Sequence, residues 1–262
     1  MTSPFPDAPR VQYENNPLVE VVCQVRFPTI LSIEEQLPTK FQERIREALP
    51  LFEELKQALI PINPAGAELV VKEQIQHSRI FRFATSDGVS SLSLTRSFLA
   101  LSTSRYSRYE KFAELFKLGW DALLEICDPL YATRIGLRYI DHLQLSMLFP
   151  ENTSWARMLN PVLSEELEAL GLADTIEERT SEWKIGLPND VKIKMRHGLI
   201  RNDQGKELYS IDSDFFVEVR RELNQIDAIL SELNLYSRRI FRWAISDELH
   251  DALGPVSIPE SL

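Results

Sequence analysis

The chain has 262 residues, 44% of them hydrophobic, which is enough apolar material for one large domain or two small ones. Its 39 acidic side chains against 29 basic ones leave a formal charge of −10, which argues against nucleic acid as a partner unless a local basic face overcomes that field. No apolar run approaches the roughly 20 residues of a membrane helix. The opening Met-Thr-Ser-Pro-Phe-Pro-Asp also lacks the parts of a signal peptide.

Residues 1–16 hold three prolines and read as an extended N-terminal arm; residues 17–262 read as a single domain. From Leu18 the pattern alternates. Val19, Val21, Cys23, Val25 and Phe27 share one face and Glu20, Gln24 and Arg26 lie on the other, which predicts a half-buried strand. After Pro38, helical spacing links Phe41, Ile45 and Leu49, then Phe52, Leu55 and Leu59, so a helix divided at Pro50 is expected. Residues 67–104 predict a meander of four short strands. Asp87-Gly88 suits a two-residue type I′ turn that pairs Phe83 with Leu92 and Phe81 with Leu94. A tight turn at Arg96-Ser97 then sets Leu99 beside Leu94 and Leu101 beside Leu92. Ser107 and Glu110 have capping-box spacing. The helix they open carries Phe112, Phe116, Trp120 and Leu123 in one stripe and stops at Asp128-Pro129. The two cysteines, Cys23 in the first strand and Cys127 at this helix end, suit buried thiols in a reducing cytoplasm better than a disulfide.

A second strand-first unit follows. Ile135, Leu137, Tyr139 and Leu143 face one way, and Arg134, Arg138 and His142 the other. A short helix is predicted near Pro161 to Leu170, then strands over roughly 175–186, 190–201 and 206–218. The loop Asp203-Gln204-Gly205 fits a three-residue hairpin with glycine in the left-handed position. A long helix carries Leu223, Ile226, Leu230, Leu233 and Ile240, and a last short one runs from Ser246 to Gly254-Pro255. The order of elements thus occurs twice, over about 18–126 and 132–244. It predicts an α+β fold: a mostly antiparallel sheet from two β-α-β(3-4)-α pseudo-repeats, with the long helices packed on one face.

No catalytic constellation emerges. His77, His142, His197 and His250 are scattered over four elements, so no zinc spacing exists, and the nine glycines assemble no phosphate loop. No metal and no cofactor are expected. Asp212 and Asp214 share a strand face and could suit a divalent cation. The hairpin register, however, sets Arg196 against Asp212 and Lys194 against Asp214, so cross-strand ion pairs are the preferred reading. The candidate ligand-binding residues are Glu20, Arg26, Arg134, Arg138 and His142, on the polar faces of the two opening strands. There the planar forks of arginine suit a carboxylate or phosphate. The competing reading is that these arginines pair with Glu20, Glu73 and similar acids across the sheet. Glu73 itself falls on a strand face with Leu69, Val71 and Ile75, where an unpartnered carboxyl would have a raised pKa unless it pairs with Arg82 or lies at an edge.

Three motifs carry a resemblance over nearly the whole chain. They are Asn16-Pro17-Leu18-Val19-Glu20-Val21-Val22-Cys23-Gln24-Val25-Arg26-Phe27, then Arg134-Ile135-Gly136-Leu137-Arg138-Tyr139-Ile140, and Ile211-Asp212-Ser213-Asp214-Phe215 with the later Phe241-Arg242-Trp243-Ala244-Ile245-Ser246-Asp247-Glu248-Leu249. The chain resembles a sporadically distributed family of uncharacterised bacterial and archaeal proteins. Asp141 stands where that family usually has asparagine, and Leu233-Asn234 where a leucine-histidine pair often lies, which counts against a catalytic histidine there. The resemblance supplies no catalytic residues. The family's patchy distribution implies an accessory or defence-related role. Together these readings lead to a non-catalytic binding or regulatory protein, of a defence- or antitoxin-related kind, that offers a face to a protein partner or to a second copy of itself. The alternative is a binder or hydrolase of an anionic small molecule or nucleotide, using Arg26, Arg134 and Arg138.

Overall fold

The computed structural model describes residues 4–58, 77–150, 153–168 and 176–258. The first half of the chain runs β1 (Val11–Tyr13), β2 (Leu18–Arg26), α1 (Ser32–Glu35), α2 (Thr39–Ile45) and β3 (Leu51–Ala58). It continues through β4 (His77–Ala84), β5 (Ser90–Leu94), β6 (Phe98–Thr103) and α3 (Tyr109–Cys127). The second half runs β7 (Arg134–Leu143), α4 (Trp155–Met158), α5 (Pro161–Glu168), β8 (Arg179–Gly186) and β9 (Val191–Arg201). It ends with β10 (Glu207–Val217), α6 (Ile226–Ala244), α7 (Asp247–Ala252) and β11 (Pro255–Ser257).

Nine strands form one antiparallel sheet in the order β3-β4-β5-β6-β2-β7-β10-β9-β8. In each half the opening strand lies beside the last strand before the long helix, β2 beside β6 and β7 beside β10. The two opening strands meet at the sheet's centre. The fold is α+β, dominated by antiparallel sheet.

Strand alternation divides the sheet into two unlike faces. On one, Val21, Cys23, Val25, Leu99, Leu101, Ile135 and Leu137 are buried, as are Ile211, Phe215, Ile193 and Met195 across the other half. Helices α3 and α6 cover this face with Phe116, Trp120 and Leu123, and with Leu230, Leu233 and Ile240. Trp120 meets Phe27 at 6.5 Å, and the Tyr139 hydroxyl donates to Asn234 Oδ1 at 2.8 Å. The other face holds Glu20, Val22, Gln24 and Arg26 of β2 and the even-numbered residues of β7, β8, β9 and β10, and the described helices pack on its opposite side. A bulge between Leu18 and Glu20 sets Leu18 opposite Asp141 and leaves Val19 exposed, not on the face of Val21 as expected.

The hairpin registers follow the sequence pattern. Phe83 pairs with Leu92, Phe81 with Leu94, Leu94 with Leu99 and Leu92 with Leu101. Across the second hairpin Ile193 pairs with Phe215, Leu199 with Tyr209 and Val191 with Val217, and Gly205 takes φ +73° in its loop.

Several local expectations are corrected. Residues 51–58 form the edge strand β3 and not the second half of a helix. Pro50 ends the helical run, and backbone pairing with β4, from Leu51–Ala84 to Ala58–His77, outweighs a weak helical spacing. Of the expected four-strand meander, β4, β5 and β6 fall within the described residues; residues 67–76, Glu73 among them, lie outside these. The β4–β5 turn keeps the expected register but spans Ser86–Val89. It is closed by bonds from Thr85 N to Ser90 O and Gly88 N to Thr85 O, and Gly88 alone in it has positive φ. The capping box at Ser107 is not made, because α3 starts at Tyr109 with Arg108 as its N-cap and Glu110 turns to Arg10. The arm is tied down: β1 pairs with β11, Phe5 packs edge-on to Trp243 at 5.4 Å, and Asp7 pairs with Arg239.

Candidate functional site

The central pair β2–β7 puts the sequence-predicted residues on the open face together. Arg26 sits opposite Arg134, Gln24 opposite Gly136, Val22 opposite Arg138 and Glu20 opposite Ile140. The next strand, β10, sets Phe216 against Gly136, Asp214 against Arg138 and Ser210 against His142.

Two of the three arginines are already engaged. Arg138 grips Asp212 with both ends of its fork, Nε to Oδ1 and Nη2 to Oδ2, each at 2.6 Å. That bond raises the pKa of Arg138 above the ordinary guanidinium value, with Asp214 and Glu20 adding to the effect. Arg134 donates from Nη2 to Asp214 Oδ2 at 2.7 Å and from Nη1 to Gln24 Oε1 at 3.4 Å, and its guanidinium lies over the Phe216 ring at 4.7 Å. Its side chain is only 13% exposed because it runs along the strand, across Gly136. A Cβ on Gly136 would stand 2.4 Å from Arg134 Nη1. The glycine is the groove in which the arginine lies.

The cross-strand ion pairs expected from the hairpin are therefore corrected. Arg196 and Lys194 do stand opposite Asp212 and Asp214, but β10 has a cationic strand on each side, and the carboxylates turn to β7. In each case the β7 arginine is less exposed than its β9 rival, Arg134 than Lys194 and Arg138 than Arg196, so the pair it makes is less screened by water. Lys194 and Arg196 turn outward to Glu182 on β8, at 3.1 and 3.6 Å. The Lys194 bond lowers the pKa of Glu182.

Arg26 is exposed and, among the described residues, donates only to the neutral Gln24 Oε1, at 2.9 Å. His142 is half-buried. Desolvation lowers its pKa against the pull of Asp212, so it is neutral at pH 7. Glu73 lies outside the described residues. Among the described residues, no group of three or more His, Cys, Asp or Glu side chains is placed to hold a metal ion.

The sequence reading missed the β8–β9 corner of this face. Lys184, Lys192, Lys194 and Arg196 share one surface there with Glu182 as its carboxylate, and Lys192, opposite Gly186, is exposed. The signal was present in the alternation Lys192-x-Lys194-x-Arg196, which places three cations on one face of one strand. No described helix is long and apolar enough to cross a membrane.

No family model matches the chain, and no curated protein matches it. A solved structure described as KH domains aligns over 94% of this chain and 89% of its own length at 10% identity. Its TM-score of 0.21 is too low to carry an argument.

Proposed function

We propose that this is a non-catalytic binding protein that docks an acidic segment of a protein partner on the β8–β9 corner of its open sheet face. One observation carries the reading: on a chain of net charge −10, three cations gather around the Glu182 carboxylate, and the exposed Lys192 adds a fourth on the same face, which the described helices leave uncovered. A local patch of sign opposite to the whole molecule steers an acidic partner to one place and repels it elsewhere. The alternative, an anionic small molecule held by Arg26, Arg134 and Arg138, has less support, because Asp214 and Asp212 fill the forks of two of those arginines. A partner-docking role also suits the accessory or defence-related setting that the family resemblance implies.

The test is fluorescence anisotropy with a labelled oligoglutamate peptide against the full chain. Binding should weaken with added salt and fall by about tenfold or more in the Lys192→Glu, Lys194→Glu double variant. Tighter binding of a single-stranded oligonucleotide of equal charge would instead assign the corner to nucleic acid. Peptide binding unchanged by the charge reversal would end the proposal.

A further inference from the structure

The covered side of the sheet contains a cavity of about 140 Å³ between the arm, the start of β2, β7 and α6. This is comparable with cavities that admit one benzene-sized molecule. Aromatic rings line part of it, alongside four arginines, Arg10, Arg108, Arg238 and Arg242. Tyr13 comes from β1, Tyr106 from the loop before α3, Tyr139 from β7 and Phe241 from α6. Tyr106 and Tyr139 meet edge to face at 5.7 Å, and Tyr13 and Phe241 at 5.6 Å. Burial pushes the Tyr13 hydroxyl up to about 12 and raises those of Tyr106 and Tyr139, so all three are neutral.

Asp141 borders this space. It lies on the buried face of β7, opposite Leu18 and Ile211, and is 5% exposed. Among the described residues no hydrogen bond or ion pair reaches its carboxyl group. The sequence reading grouped Asp141 with neither the arginine face nor the core, yet its odd number places it with Ile135, Leu137 and Tyr139.

The cations around the cavity leave Asp141 in this state. Arg10 is held by Glu110 and Arg242 by Asp247, both outside the cavity wall, and Tyr13 OH is hydrogen-bonded to His250 Nδ1 at 2.8 Å. Arg108, Arg238 and Tyr109 complete the charged and titratable lining. A buried acid with no ion-pair partner among the described residues, bordered by aromatic rings, is complementary to an organic cation.

We propose that this cavity is a ligand site for a small organic amine with an aromatic or apolar body, whose ammonium group pairs with the Asp141 carboxylate while the tyrosine and phenylalanine rings enclose the rest. The arm strand β1 forms the outer wall, so the ligand enters beside it. Desolvation alone raises the empty-state pKa of Asp141 to about 8. The acid must therefore give up its proton when the ammonium arrives, and affinity rises with pH until that value is reached.

The experiment is isothermal titration calorimetry of the full chain with phenethylamine as the probe. Affinity should rise about tenfold per pH unit up to about pH 7 and level off above about pH 8, about one proton being released per amine bound at the low-pH end. Asp141→Asn, of nearly the same shape, should lower affinity at pH 8 by about tenfold or more and abolish the pH slope. N-acetylphenethylamine, which has the same body and no charge, should bind at least about tenfold more weakly than the amine. Equal or tighter binding of hydrocinnamate, a pH-independent affinity in the unmodified protein, or no heat with phenethylamine at about 10 mM and pH 8 would each overturn the proposal. The pH slope is read on the unmodified chain and does not depend on how the variant folds. The acidic-peptide assay reads the opposite face, so the two proposals fail separately.

Discussion

Gly136 is explained by the side chain two positions before it. Arg134 reaches Asp214 by lying flat across the glycine, so Gly136→Ala must lift the guanidinium from both Asp214 and the Phe216 ring. The arginine tip can move, so the cost is the lost pair and ring contact and not a backbone rearrangement. We expect a loss of about 1–3 kcal/mol in urea unfolding, and little further loss when Arg134→Met is added to the alanine variant. Asp141 offers a test with a defined sign. Its carboxyl ionises near 3.8 when unfolded and at about 8 in the fold. Stability from the protonated group is fully present below the first value and is lost as pH rises through the second, at about 1.4 kcal/mol per pH unit. Asp141→Asn escapes that loss. Thermal melts of the two proteins should coincide near pH 4 and separate with rising pH, the variant being ahead by about 2 kcal/mol or more at pH 8. A variant no more stable than the parent at pH 8 would show that the carboxyl is solvated.

At the scale of elements, β8 is held to β9 through a glycine that cannot be replaced. Gly198 has φ +151°, and a Cβ there would fall 1.8 Å from the Arg179 carbonyl oxygen, a backbone atom with no freedom to retreat. Gly198→Ala should release β8. Amide exchange at Arg179–Gly186 should lose protection while β2 and β7 keep theirs. Legibility in the sequence tracks how local each contact is. Hairpins were readable because a turn of known length and an alternating pattern agree on one register, as in the pairing of Phe83 with Leu92 and of Ile193 with Phe215. Partner choice for Asp212 and Asp214 was not readable, because nothing near β10 says that β7, some seventy residues earlier, flanks its other edge. Strand β3 was misread for the same reason: its hydrogen bonds go to β4, beyond the intervening residues 59–76. The candidate arginines were correctly gathered on one face. That their forks were filled depended on the same distant strand.

The whole molecule joins a charged sheet face that the described helices leave uncovered to a covered face that holds, among the described residues, one buried acid, Asp141. Its arm is tied to the last elements through β1 with β11 and Phe5 with Trp243, and to α3 through Arg10 with Glu110. Removing residues 1–13 should lower the melting temperature, because it unpairs β11 and exposes Phe241 and the Asp141 cavity. It should leave the far-ultraviolet signal of the nine-stranded sheet nearly unchanged, since those strands make no ladder with the arm. Loss of the sheet signal would show that the arm is integral to the core. The β1–β11 pairing also sets an order of events during translation. Strand β1 can find its mate only once Pro255–Ser257 has been made, after the residues that pair β2 with β6 and β7 with β10. A nascent chain halted before residue 255 would carry a nearly finished sheet over a gaping hollow, with its leading segment still waiting.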